Sequence, residues 1–192
     1  MQHYQIAVIV GSLRHDSFNR TLATAMAGLA PSNFSFKQLK IDNLPLYNQD
    51  DDAQQAVNVI NLKNDIAASE GLLFVTPEYN RSIPGVLKNA IDHASRPYGQ
   101  SAWAGKPAGI LGVSVGAIGT SMAQQHLRNI LAYLDVPTLG QPEAFLQATD
   151  TLFDSKGHIG EVSQKFLQGW MDHYVAWIKK HTDLTVNTSA SA

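Results

Sequence analysis

The sequence predicts an α/β domain built on a doubly wound, five-stranded parallel sheet with helices on both faces and strand order 2-1-3-4-5. Short apolar runs alternate with helix-periodic segments along the whole chain. The runs are continuously apolar, as strands buried on both faces require, instead of alternating apolar with polar residues. No internal repeat, linker or second domain interrupts the alternation, and strands alternating with helices imply a parallel sheet covered on both faces.

The first strand is Ile6-Ala7-Val8-Ile9-Val10, stopped by Gly11. Phe18, Leu22, Met26 and Leu29 then recur at helical spacing, and Pro31 closes that helix. Residues 34–40 read as a second, edge-like strand, and 42–52 as a loop with Pro45 and three consecutive aspartates. A helix is expected over about 54–70. Leu72-Leu73-Phe74-Val75 is the third strand, ended by Thr76-Pro77. Ser82-Ile83-Pro84 opens the next helix, with Ser82 or Ile83 as cap, Pro84 in the first turn and Val86, Leu87, Ala90, Ile91 and Ala94 inward. Residues 107–115 form the fourth strand. Gly119 leads into a helix with Met122, His126, Leu127, Ile130, Leu131 and Leu134 on one side. Val136 to Leu139 is expected as a short fifth strand. A last helix spans about 159–181, with Val162, Phe166, Trp170, Tyr174, Trp177 and Ile178 inward. The domain is therefore placed at 1–183. The Ser/Thr/Asn/Ala-rich end, 184–192, is expected to be disordered.

The 192 residues suit one domain with a substantial core, and 44% hydrophobic with 16% charged residues is a globular composition. A formal net charge of −2 gives no field that would attract nucleic acid or an anionic membrane. No cysteine is present, which excludes disulfides, thiol nucleophiles and Cys-based metal sites. No run reaches the roughly 20 apolar residues of a membrane span, and the N-terminus lacks the basic start and long apolar core of a secretory signal. A cytoplasmic protein is expected.

In an open doubly wound sheet, ligands bind beyond the carboxyl ends of the strands at the point where strand order reverses, here between strands 1 and 3. The loops after strands 1, 3 and 4 hold the unusual residues. In the first, Gly11 is followed by Ser12, Arg14, Ser17, Asn19 and Arg20 around a helix N-terminus. Free N–H groups, the positive end of the helix dipole, hydroxyls and guanidinium groups together suit a phosphate. An ordinary N-cap beside two solvated arginines is the competing reading. The GxxxxGK[ST] pattern of an ATP site is absent. In the second loop, Thr76-Pro77-Glu78-Tyr79-Asn80-Arg81-Ser82-Ile83-Pro84, two prolines stiffen the backbone. A rigid loop there suits a flat heterocycle, with Asn80 able to read a ring edge, and it suits a purely structural turn equally well. In the third, Ser114 is followed by Gly116 and Gly119, which permit close backbone approach. That spacing is not GxGxxG.

Gly11-Ser12-Leu13-Arg14 with Ser17 and Asn19, then Thr76-Pro77-Glu78-Tyr79-Asn80, then Leu87-Lys88-Asn89-Ala90-Ile91-Asp92 resemble the NADPH-dependent FMN reductase family, which includes bacterial quinone, chromate and azo-dye reductases. The resemblance covers about residues 4–180 and implies a flavodoxin-like fold that binds FMN. It implies that Ser12, Arg14, Ser17 and Asn19 hold the FMN phosphate. Pro77, Glu78, Tyr79 and Asn80 would line the isoalloxazine, largely through their backbone, and Ser114 with Gly116 would close the far edge. Arg81 is a candidate for NAD(P)H phosphates, or a solvated loop arginine.

The implied chemistry is hydride transfer from NADPH or NADH to FMN, then on to a quinone, free flavin, azo or nitro compound at the same face in a ping-pong sequence, with no catalytic side chain. N–H donors at the helix start near Gly116 to Gly119 would stabilise the reduced cofactor. The resemblance also implies a homodimer or homotetramer; the broadly apolar helix at about 120–134, with Arg128 and Tyr133 on other faces, and Glu143 offer interface candidates, or are simply solvent-exposed.

No histidine pair has metal-ligand spacing, Asp50-Asp51-Asp52 reads as a solvated loop, and no GxSxG elbow exists. The alternative function is a non-catalytic flavin module, either an electron carrier or a redox sensor.

Overall fold

The computed structural model describes residues 2–189, with side chains described to residue 183. The strands are β1 (Tyr4–Val10), β2 (Phe34–Gln38), β3 (Gly71–Val75), β4 (Ala108–Ser114) and β5 (Phe145–Gln147). The helices are α1 (Phe18–Ala27), α2 (Val57–Ala67), α3 (Gly85–Ala94), α4 (Ser121–Tyr133) and α5 (Glu161–Ser189), with a 3₁₀ turn over Gln49–Gln54 in the acidic loop. The sheet is parallel throughout, in the order β2-β1-β3-β4-β5. Strand order and class are as the sequence predicts.

The alternation within each strand explains the two layers. Ile6, Val8 and Val10 of β1, Leu73 and Val75 of β3, and Leu111 and Val113 of β4 pack with Leu22 and Met26 of α1 and with Trp170 and Tyr174 of α5. Their neighbours Ala7, Ile9, Leu72, Phe74, Ala108 and Ile110 face Leu62 and Ile66 of α2, Leu87 and Ile91 of α3, and Leu127 and Leu131 of α4. With no polar face, these strands have to be covered on both sides.

On the α5 side, Trp170 and Tyr174 stack with centroids 5.4 Å apart. Gly109 makes this possible, since a Cβ there would lie 2.6 Å from Tyr174 Cδ2 and 2.8 Å from Trp170 Cη2. The buried Tyr174 hydroxyl donates to Leu72 O at 3.0 Å. Burial raises its pKa well above 10.0, the ordinary value. Its neutral form is favoured in the fold, so this contribution is whole below pH 10.0 and is lost as pH rises from there towards the folded-state pKa. Tyr174→Phe is expected to cost about 1 kcal/mol near pH 7 through the lost hydrogen bond. Urea midpoints should show that gap closing above pH 10.0, because the variant has no phenol to ionise. A gap that widens at alkaline pH would contradict this.

Several elements differ from expectation. The fifth strand is not Val136 to Leu139. That segment touches only the start of β4, where Ala108 N–H donates to Pro137 O at 2.9 Å and Leu139 N–H to Ala108 O at 2.8 Å. Pro137 and Pro142 carry no N–H to extend a ladder. The chain loops out over 140–144 and rejoins the edge at Phe145–Gln147. Pro84 is the cap of α3, not part of its first turn. On α4, Met122 and His126 point outward, and Ala123, Gln124, Leu127 and Leu131 form the buried face. On α5, Val162 and Phe166 are exposed, and Leu167 and Met171 join Trp170, Tyr174 and Ile178 inside. In α5 the buried stripe begins only past the first turn, at Leu167. The tail expected at 184–192 overlaps the end of α5. Its side chains, and residues 190–192 altogether, lie outside the described residues.

Candidate active site

The loops after β1, β3 and β4 converge at the carboxyl end of the sheet. One cleft there is lined by Ser12, Arg14, Ser17, Phe18, Asn19, Pro77, Glu78, Tyr79, Val113, Ser114 and Val115. Of the residues the sequence nominates, Ser12, Arg14, Ser17, Asn19, Pro77, Glu78, Tyr79 and Ser114 stand together on this lining. Asn80 lies in an exposed turn next to Tyr79 and Gly116 in an exposed loop next to Val115, and neither is among the lining residues.

The first loop leaves the sheet at Gly11, whose N–H donates to Val75 O at 2.9 Å and so ties the ends of β1 and β3. Ser17 caps α1, its Oγ accepting the Arg20 N–H at 3.3 Å. That leaves the other first-turn N–H groups of α1 for a ligand. Ser12 and Ser17 are both 4% exposed, yet both line the cleft. Ser12 Oγ receives only a long contact, 3.4 Å, from Arg14 N–H. Arg14 is exposed at the rim, whereas Arg20 donates to His15 O at 3.3 Å.

The Asn19 side-chain amide is bound to the backbone of β4. Its Nδ2 donates to Val113 O at 2.9 Å, and its Oδ1 accepts Val113 N–H at 3.0 Å. Thr76 N–H donates to Leu111 O, after which Pro77 turns β3 away. The Asn19 amide thus takes the position a further β3 residue would occupy beside β4. The side chain anchors the α1 N-terminus to the sheet.

The second loop is a tight two-residue turn. Tyr79 N–H donates to Ser82 O and Ser82 N–H to Tyr79 O, each at 3.0 Å, around Asn80 (φ 54°) and Arg81 (φ 65°). Both central residues are left-handed, as a type I′ turn requires. Arg81 is exposed there. Thr76 Oγ1 donates to Pro77 O at 2.8 Å and steadies the loop's first residues. Glu78 Oε2 accepts both Met122 N–H and Ala123 N–H at 3.0 Å. These two first-turn donors of α4 are therefore already engaged.

In the third loop, Ser114 Oγ bonds Gly119 O and lies 3.2 Å from Gly116 O. Gly119 has φ 64° and lies against the backbone of Phe145. Phe18, Val113 and Val115 line the cleft without having been singled out from sequence. Helical period places Phe18 inward, but it is 40% exposed and borders the cleft.

Two of the interface candidates engage each other within the chain. Arg128 Nε lies 3.5 Å from Glu143 Oε1, and Arg128 Nη1 donates to Leu139 O at 2.8 Å. Burial lowers the Arg128 pKa and Glu143 opposes that shift. Tyr133 is exposed. Among the described residues, no group of acidic or histidine side chains is arranged to hold a metal, and no helix is long and apolar enough to cross a membrane.

The model of the NADPH-dependent FMN reductase family matches residues 4–150. A 2-hydroxy-1,4-benzoquinone reductase of Burkholderia sp is 55% identical over 176 residues, covering 91% of this chain and 96% of the relative. A quinone reductase of Pseudomonas putida is 47% identical over 179 residues, covering 93% and 96%. Among solved structures, the flavoenzyme NAD(P)H:(acceptor) oxidoreductase FerB from Paracoccus denitrificans superposes with TM-score 0.89 at 45% identity, covering 93% of this chain and 98% of that one.

Proposed function

The chain belongs to the NADPH-dependent FMN reductase family, and on that premise we propose that it is an FMN-dependent NAD(P)H oxidoreductase that reduces quinones. One observation carries the reading. The buried hydroxyls of Ser12 and Ser17, the α1 N-terminus and the stiff Pro77-Glu78-Tyr79 loop share one cleft at the switch point between β1 and β3. The relatives named as quinone reductases support a quinone as acceptor.

The residues fit FMN by the chemistry of the donor set. Ser12, Ser17, Arg14 and the first-turn N–H groups of α1 would hold the phosphate, with Asn19 fixing that helix start instead of donating from its side chain. Pro77 to Tyr79 and Ser114 would border the ring, with Asn80 and Gly116 acting through the backbone of their loops. When bound, FMN supplies the exchange of electrons between NAD(P)H and the acceptor. The chain's part is to bind, orient and shield one face while leaving the other open to donor and acceptor in turn. Initial velocities at varied NADPH and benzoquinone should then give parallel double-reciprocal lines. Lines that intersect would require both substrates bound together and would overturn the ping-pong order.

Arg14 is the phosphate's charge partner in this reading. Arg14→Ala is expected to weaken FMN binding by roughly 10- to 100-fold, the worth of a charge-assisted hydrogen bond. Fluorescence titration of the apoprotein with FMN measures it, and an unchanged Kd would remove Arg14 from the cradle.

The reading also covers residues 1–183 as one reductase domain, in a homodimer or homotetramer. The exposed apolar rim of Val115, Ile118 and Met122 beside the cleft supports association. A cytoplasmic location agrees with a chain that contains no cysteine.

A further inference from the structure

Helix α4 starts without a cap of its own. Thr120, its N-cap residue, makes no side-chain capping bond, and the first turn contains no acid. The missing carboxylate arrives from another loop: Glu78 Oε2 accepts the Met122 and Ala123 N–H groups, both at 3.0 Å. The same loop is fastened to α4 a second time, through the 2.7 Å hydrogen bond between Ser82 Oγ and His126 Nδ1. Between these ties lie the left-handed residues Asn80 and Arg81. The loop therefore spans the first turns of α4 with a fixed backbone shape.

Glu78 also lines the cleft, beside Tyr79 and Ser114. The consequence is electrostatic. A helix N-terminus carries about half a positive charge and on its own would favour the more negative, reduced form of a cofactor beside it. With a full carboxylate seated on that terminus, the net charge at this helix end is negative.

We propose that Glu78 is a positioning residue that caps α4 from the β3–α3 loop and whose charge holds the potential of the bound flavin down. The proposal rests on the FMN reading given under Proposed function. Glu78 fixes the ring-bordering backbone relative to α4, and it makes the reduced cofactor a stronger donor to the acceptor.

The test is the two-electron midpoint potential of the FMN-loaded protein, read with a reference dye, alongside thermal unfolding of the apoprotein. Glu78→Gln keeps the shape and one acceptor but removes the charge. Its FMN is expected to shift upward in potential by at least tenfold in the oxidised-to-reduced ratio, about 30 mV for two electrons. Its apoprotein should also melt earlier from the weakened cap. Ser121→Asp in the otherwise unchanged chain adds a second carboxylate at the same helix end, and its potential is expected to move downward. It decides the matter even if Glu78→Gln does not fold. FMN-loaded Glu78→Gln with an unshifted or lowered potential, or Ser121→Asp with an unshifted one, overturns the proposal. A parent chain that takes up no FMN strikes the FMN reading itself, a result that neither variant's potential can mimic.

Discussion

Asn19→Ala is expected to destabilise the apoprotein by about 3 kcal/mol and to weaken FMN binding at least tenfold. Asn19 is 3% exposed, and its amide satisfies both the N–H and the C=O of Val113. Alanine leaves both backbone groups buried without partners, at about 1–3 kcal/mol each before relaxation. The same change unfastens the first turn of α1 from β4, so the cradle of Ser12 and Ser17 loses its fixed spacing. Urea unfolding of the apoprotein measures the first effect and FMN titration the second. Asn19→Asp is a sharper probe. It can still accept from Val113 N–H, but it sets a carboxylate against Val113 O and should be no more stable than alanine. A loss below about 1 kcal/mol in Asn19→Ala would mean that the clamp is not what joins α1 to the sheet.

Gly119→Ala is expected to cost about 2–4 kcal/mol, from two separate causes. A left-handed φ of 64° costs a residue with a Cβ about 1–2 kcal/mol. In addition, that Cβ would lie 2.6 Å from Phe145 C and 2.9 Å from Leu146 N. These are backbone atoms of β5 and cannot rotate aside, so the 115–120 loop has to move and distort the Ser114 edge of the cleft. Gly116→Ala is the control, since a Cβ there meets nothing nearer than Ser114 Oγ at 4.0 Å. Thermal unfolding should separate the two variants by several degrees. Equal melting temperatures would show that the third loop yields without cost.

The sheet was legible because its strands are buried on both faces. Ile6 to Val10 and Leu72 to Val75 admit few other readings, and each crossover has a helical stripe. The three site loops were legible from where unusual residues fall relative to those strands. β5 was not, because an edge strand of three residues with exposed ends has no pattern of its own, whereas the more apolar Val136 to Leu139 lies just before it. Individual roles were hidden for a related reason. An asparagine at a helix start reads as a ligand donor or a cap, and only the end of β3 at Pro77 gives Asn19 the β4 backbone as partner. Glu78 and Met122 are 44 residues apart, and no local signal links them. Phe18, Met122, Val162 and Phe166 keep perfect helical period yet face outward, because period locates a face and not how far the neighbouring sheet extends.

On the function proposed above, this chain binds FMN and passes electrons from NAD(P)H through it to a quinone. That function is tested most directly by the anaerobic absorption spectrum of the FMN-loaded protein, recorded before and after one equivalent of NADPH and again after benzoquinone. The flavin bands are expected to bleach with the nicotinamide and to return in full with the quinone. Bands that NADPH leaves unchanged would contradict the reductase and make the chain a carrier or sensor, and a protein that retains no FMN on gel filtration would contradict the account as a whole.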